Sequence, residues 1–403
     1  MSDRPDLSRL GDVAAAGSRE LDRVCEEVAA ELVAAGVEPP FSLRSADLRA
    51  DPWAITADRY FRRRLLAEPS VEVAARAARW LCEHAEAAVR ADLFERWAMG
   101  FAFVTRDTVE SGEDLTRASS RILAAYDGHA EVCAFAAIYQ AGKLRANFWF
   151  AELETFLTCS PLAAAGRDLH GPLVTALRAF AACGLRDTTR GVALVQAAWT
   201  EVPRSREVTD VCLHALDVAW PSAGQGELLR RYATDAVATS PAAHPWWYRR
   251  ARGERRCGDL EAAATAIQTA LAALPAHGSR TAHEHLQERY LRERDLIWQL
   301  AATPTPDPPR PAPPVPPAAL VAAIAAVALA AAATVTATGH TSSTVSSWRD
   351  ALGREVLLAV SLLLFTGCVL LIGAAWRRLV ATPPDRAARE AAGPTSTPGH
   401  HET

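Results

Sequence analysis

The chain has 403 residues, half of them hydrophobic, with a formal net charge of -4 and a pI near 6.3. That balance supplies no global basic field, which excludes nucleic acid as the expected partner. The eight cysteines, Cys25, Cys82, Cys133, Cys159, Cys183, Cys212, Cys257 and Cys368, stand singly with no CxxC pair, a pattern of reduced thiols rather than of a disulfide framework or zinc site.

Residues 1–16 have scattered charge and no hydrophobic period, so they are expected to form a flexible N-terminus without an export signal. A helical region is predicted over 17–165. Ser18 is placed to cap its first helix, where Leu21, Val24, Cys25, Val28, Leu32 and Val33 recur at three- and four-residue spacing until Gly36 and Pro39-Pro40. Asp51-Pro52 signals a second start, an N-cap followed by proline at the first helical position. Ser70 signals a third, with Val73, Ala77, Trp80, Leu81 and Ala88 available for burial, and helical patterns continue over Leu93–Val104 and Leu115–Tyr126. No run of alternating β-branched residues bounded by turns reads as a strand, so the predicted class is all-α.

Between Trp247 and Pro275 the pattern becomes specific. Trp247, Ala251, Gly258-Asp259, Ala263, Ile267, Ala270 and Pro275 combine a large residue, small residues, a turn and a closing proline in the order of a helix-turn-helix unit. Small Ala251, Ala263 and Ala270 let two helices press together, Gly258 permits the turn, and Pro275 ends the second helix. This stretch resembles the tetratricopeptide repeat. Pro161, Pro203, Pro241 and Pro275 mark periods of 42, 38 and 34 residues, and degenerate units upstream match at Ala179, Val195, Ala198 and Ala236. The resemblance implies an α-solenoid of repeats over 166–302, closed by a capping helix over His277–Leu300, whose surface binds a partner protein or peptide.

Residues 303–317, TPTPDPPRPAPPVPP, form a proline-rich linker that reads as an extended spacer. Two uncharged segments follow, 318–338 and 356–376, each of 21 residues. At about 1.5 Å per residue each spans roughly 31 Å, so 318–376 is predicted to be a transmembrane hairpin in the lipid bilayer. The second segment is the more apolar. The first is alanine-rich, with Ala318, Ala322, Ala326 and Ala330 at the spacing of a helix-packing face, which makes a homo-oligomer through the membrane a further expectation. Arg310 before the hairpin, and Arg377 and Arg378 after it, orient both termini, including the tail over 377–403, toward the cytoplasm at the cell membrane.

No nucleotide-binding, metalloprotease or nucleophile-elbow motif occurs, so no catalytic residue, cofactor or metal is predicted and the chain reads as a non-enzyme. His283 and His285 lie two apart, on different helix faces, and cannot share a metal as an i, i+4 pair does. The candidate partner-binding residues are Arg59, Arg62 and Arg63, a basic face for anionic lipid or an acidic partner, and Trp246, an exposed aromatic beside the repeat position Trp247. The function expected is a membrane-anchored protein-binding adaptor. The alternative is a signal-gated two-helix effector that oligomerises and perturbs the bilayer.

Overall fold

A computed structural model describes residues 6–13, 18–108, 111–222, 224–275 and 280–303. Among the described residues no helix is long and apolar enough to cross a membrane. The predicted hairpin, all but the first residue of the linker, and the tail lie outside them.

Local signals start the first long helices where expected. After α1 (Ser8–Asp12) and α2 (Ser18–Ala35), α3 (Pro52–Ala67) begins at a proline behind Asp51, whose carboxylate accepts from the Ala54 N–H at 2.8 Å. α4 (Val71–His84) is capped by the Ser70 hydroxyl, which accepts from Val73 N–H. Such caps satisfy amide donors that the first turn otherwise leaves orphaned. The segment expected to be loose is partly docked. Leu10 of α1 and Val13 just after it are buried and Arg9 pairs with Glu27 and Glu31 of α2, an anchor carried by two apolar side chains and one ion cluster, too short to show a period.

α5 (Ala87–Val104), α6 (Gly112–Ala125) and α7 (Ala130–Ala146) follow. α7 is buried at every residue from Val132 to Leu144 and packs against α4, α5 and α6 as well as the next helices, α8 (Phe150–Cys159) and α9 (Pro161–Leu169). A helix without a polar face belongs inside a bundle. Gly142 lets it approach α5, since a Cβ there would stand 2.7 Å from the Ala102 methyl. Trp80, Trp97, Phe61 and Phe101 fill the aromatic core beside it, and Trp80 donates its indole N–H to the Pro39 carbonyl at 2.9 Å.

Beyond α9 the helices come in pairs: α10 (Gly171–Gly184) with α11 (Thr188–Thr200), α12 (Arg206–Val218) with α13 (Gln225–Thr239), and α14 (His244–Arg256) with α15 (Leu260–Ala272). α16 (Arg280–Ala302) packs on α15 and α14. Pro203, Pro241 and Pro275 each follow the second helix of a pair, whereas Pro161 opens α9. The pairs are compatible with a helical repeat.

The backbone repeats more faithfully than the sequence. Arg186 between α10 and α11 and Gly258 between α14 and α15 both have positive φ, 67° and 85°. In each case the next residue donates its N–H five residues back: Asp187 to the Ala182 carbonyl, and Asp259 to Glu254. Phe148, with φ 58° between α7 and α8, makes the same turn, with Trp149 N–H on the Leu144 carbonyl. Gly224, at φ 79°, heads α13. This is the Schellman-type end of a helix, which glycine enters without strain and other residues only at a cost. Asp187 and Asp259 then cap the following helices, accepting from Arg190 and Ala262 N–H groups.

Candidate functional site

Arg206, Asp210 and His214 succeed one another at four-residue spacing in α12, which sets them along one face of the helix. Ser205 starts that helix by accepting from the Val208 N–H, and its hydroxyl donates to Glu95 of α5 at 2.6 Å. Glu95 also meets His170 Nδ1 at 2.9 Å, so the head of α12 is tied to α5 and to the turn before α10.

Along the stripe, the end of α7 supplies Arg145, which donates to Asp210 at 2.7 Å and reaches His214 Nδ1 at 3.1 Å. A guanidinium only donates, so Nδ1 is the acceptor and the imidazole carries its proton on Nε2. Burial first, and then Arg249, Arg145, Arg289 and Arg252, hold His214 well below the usual histidine range, consistent with that neutral tautomer. For Asp210 the largest influence is burial, which raises its pKa. Arg145 and Arg249 outweigh it and leave the carboxyl below its ordinary value. Yet 41% of the Asp210 side-chain surface stays accessible. A carboxylate closely surrounded by protein but open to solvent lies in a recess, not on a convex face.

α14 and α16 close the other side. Asp217, with its side chain 1% exposed, pairs with Arg249, with Arg252 at 2.7 Å and with Arg256 at 3.3 Å. Arg256 also donates to the backbone carbonyls of Leu216 and Asp217. Glu293 of α16 takes Arg255 at 2.6 Å. Burial lowers the Arg249 guanidinium to about 9, the direction expected where arginines crowd faster than carboxylates. Tyr248 and Tyr290 stack at 4.7 Å, His244 Nδ1 meets the Tyr290 hydroxyl at 2.8 Å, and Arg289 lies over the Tyr248 ring while donating to its hydroxyl at 3.2 Å.

Three arginines around the recess have no carboxylate within 4 Å among the described residues: Arg96 of α5, Arg206 and Arg289. Arg206 acts electrostatically on Arg96, Asp210 and His244, and Arg289 acts on His214 and Arg249. Burial and Arg206 both push the Arg96 guanidinium down.

The residues picked from sequence lie elsewhere. Arg59 pairs with Asp22 at 2.5 Å, Arg63 with Glu26, and Arg62 with Asp58 at 2.5 Å while covering the Phe101 ring. They join α3 to α2 and α5 and do not form a free basic face. Trp246 is only 5% exposed and belongs to the main core, correcting its expected exposure. Its neighbour, a helical step of about 100° away, is the half-buried one, with the Trp247 indole donating to the Pro241 carbonyl at 2.7 Å. Ala251, Ala263 and Ala270 are fully buried in a second core with Tyr248, Ile267, Tyr290 and Ile297. Pro275 is exposed beyond the end of α15.

Sequence reading missed the recess because its parts come from α5, α7, α12, α14 and α16. The signals present were the Arg206, Asp210, His214 stripe and the run of arginines from Arg249 to Arg256. Compared with known protein families, characterised proteins and solved structures, the chain matches none of them.

Proposed function

We propose that the chain is a membrane-tethered adaptor, in which a tetratricopeptide-like helical unit captures an acidic segment of a partner protein and a C-terminal two-helix hairpin fixes it at the bilayer. The observation that supports the binding half is the recess around Asp210 and His214, where Arg96, Arg206 and Arg289 lack carboxylate partners among the described residues. Arginines keep their charge at neutral pH, so a positive recess gains most from an anion brought by a partner. The tether rests on the two 21-residue uncharged segments and the arginines that flank them.

The test is paired expression of the intact chain and of a version ending at Ala302. Fractions are extracted with alkaline carbonate, bound proteins are recovered, and membrane potential is followed. The adaptor reading expects the intact chain to resist extraction, both versions to retain the same partner, and the doubled change Arg206→Gln, Arg289→Gln to release it. Depolarisation by the intact chain alone would sink the passive tether and favour the two-helix effector.

A further inference from the structure

We infer that the gap between α6 and α8 is a binding site for a small amphipathic amine, an apolar body carrying one ammonium group. The site is separate from the arginine-lined recess and does not depend on the adaptor reading.

The first argument is shape. α6 packs against α4, α7 and α9, and α8 against α7, α9 and α10, so the two helices share neighbours without closing on each other. Each turns one stripe toward the gap: Leu115, Ser119 and Leu123 of α6 at four-residue spacing, and Glu152, Phe156 and Cys159 of α8 at spacings of four and three. Trp149, the residue before α8, adds its indole to the same wall. The space between them has a volume of about 560 Å³. Small-molecule sites have roughly 300 to 1,000 Å³ and often lie between the helices of a bundle.

The second argument is the lining. Leu115, Leu123, Trp149 and Phe156 make apolar walls, which suit a hydrocarbon body. Ser119 lines the same space and is 6% exposed, yet its hydroxyl bonds to none of the described residues. A buried hydroxyl without a partner costs free energy, so the gap gains from a guest that brings a polar group as well as an apolar one.

The third argument is charge. Among the described residues that line the gap Glu152 alone is charged, and none of the described residues pairs with it. The arginines close to it in the chain or across the gap are engaged elsewhere. Arg117 pairs with Glu113 and Asp114, Arg121 with Glu72, and Arg190 with Glu154. Lys143 lines a separate, smaller cavity on the other side of Leu115 and Trp149, with its Nζ 5.7 Å from the Tyr139 ring centroid. Glu152 is exposed, so its carboxylate can hold a cation at the mouth while the body enters between the helices. Trp149, three residues earlier, offers the same cation an aromatic face. An anionic guest would meet repulsion there, and a neutral one would forgo the ion pair.

Cys159 supplies the readout, because it lines the gap and is exposed, and Cys257, exposed at the end of α14, is the internal control. The full chain is placed in lipid nanodiscs rather than detergent, whose tails would compete for the gap. It is treated with iodoacetamide at pH 7.5, and alkylation of the two cysteines is followed by peptide mass spectrometry. The probes are phenethylamine, phenethyl alcohol and phenylacetate, which share a body and differ in charge. The expected result is saturable slowing at Cys159 and none at Cys257, with the amine effective at about a fivefold lower concentration than the alcohol, the upper worth of an exposed ion pair, and phenylacetate weakest. Glu152→Gln should cost the amine that advantage and leave the alcohol unchanged. Thr155→Phe sets a ring into the gap from an exposed position, so it should abolish protection by every probe while the Tm holds. Equal protection by the three probes, or amine protection indifferent to Glu152→Gln, overturns the cation site. Failure of all three to protect Cys159, or slowing of both cysteines alike, overturns the pocket itself.

Discussion

Asp217 offers the sharpest test of how the arginine cluster is held. Its carboxylate is almost wholly buried and neutralises Arg249, Arg252 and Arg256, all from α14. Asp217→Asn preserves shape and one acceptor oxygen but removes the charge, stranding three guanidiniums at the α12 and α14 interface. Breaking a buried ion pair by removing one partner costs about 3 to 5 kcal/mol. Two contacts survive and place the expectation at the lower end. Arg256 keeps its bonds to the Leu216 and Asp217 carbonyls, and Arg252 keeps Glu293 at 3.8 Å. A loss of about 3 kcal/mol, at roughly 2 °C per kcal/mol for a unit of this size, lowers the Tm by about 6 °C. Thermal unfolding of the full chain in detergent at pH 7.5, followed by circular dichroism, measures it. Arg252→Gln is the companion change, expected to cost about 1 kcal/mol because Asp217 retains two partners. An Asp217→Asn protein that melts within about 1 °C of the parent would refute the reasoning, since the carboxylate would then not be what holds the arginines.

Trp246→Ala should destabilise by about 3 to 5 kcal/mol as a cavity in the main core. A chain that stays stable but loses its partner would show instead that the indole is a contact residue. Gly253→Ala sets a Cβ 2.7 Å from the Arg230 backbone and should cost about 1 to 3 kcal/mol by overpacking, against about 1 kcal/mol or more for Gly258→Ala at φ 85°. Chemical denaturation of both variants tests the order. His214 and His244 are lowered by burial first, with Arg249 next for His214 and Arg206 next for His244. Below pH 6.5 the unfolded chain therefore binds their protons before the folded one does, and stability falls on acidification by at most about 1.4 kcal/mol per pH unit for each. His214→Asn should flatten the slope of Tm between pH 7.5 and 5.5, and an unchanged slope would rule that histidine out.

The all-helical class and several helix starts were readable because they depend on local chemistry. Asp51-Pro52 and Ser70 act within one turn of their own positions, and the spacing from Leu21 to Val33 marks a face that any neighbour must bury. α7 was not readable in the same way. Its burial on every side removes the contrast between faces on which periodicity depends, and only its fit among α4, α5, α6, α8 and α9 accounts for it. Trp246 and Trp247 show the limit at the scale of one residue. Both are large and adjacent, and which of them faces the core is decided by the rotation of α14 against α13, information that resides in neither side chain.

The turns that end these helices carry the same lesson. A glycine makes this turn at Gly36 and Gly258, whereas Arg186 and Phe148 adopt the left-handed conformation at a cost of roughly 1 to 2 kcal/mol each. That cost is offset by what their side chains then reach. Arg186 lies over the Trp220 ring at 4.4 Å, and Phe148 packs against Phe150, Phe180 and His214. Through Phe148 the turn between α7 and α8 braces the imidazole that Arg145, two residues before α7's cap-following turn, also holds. A residue other than glycine there hides the turn from a sequence pattern, but it sets a ring against His214. At Phe148 the side chain that obscures the turn is thus also one that packs on His214, whereas Arg186 reaches the Trp220 ring.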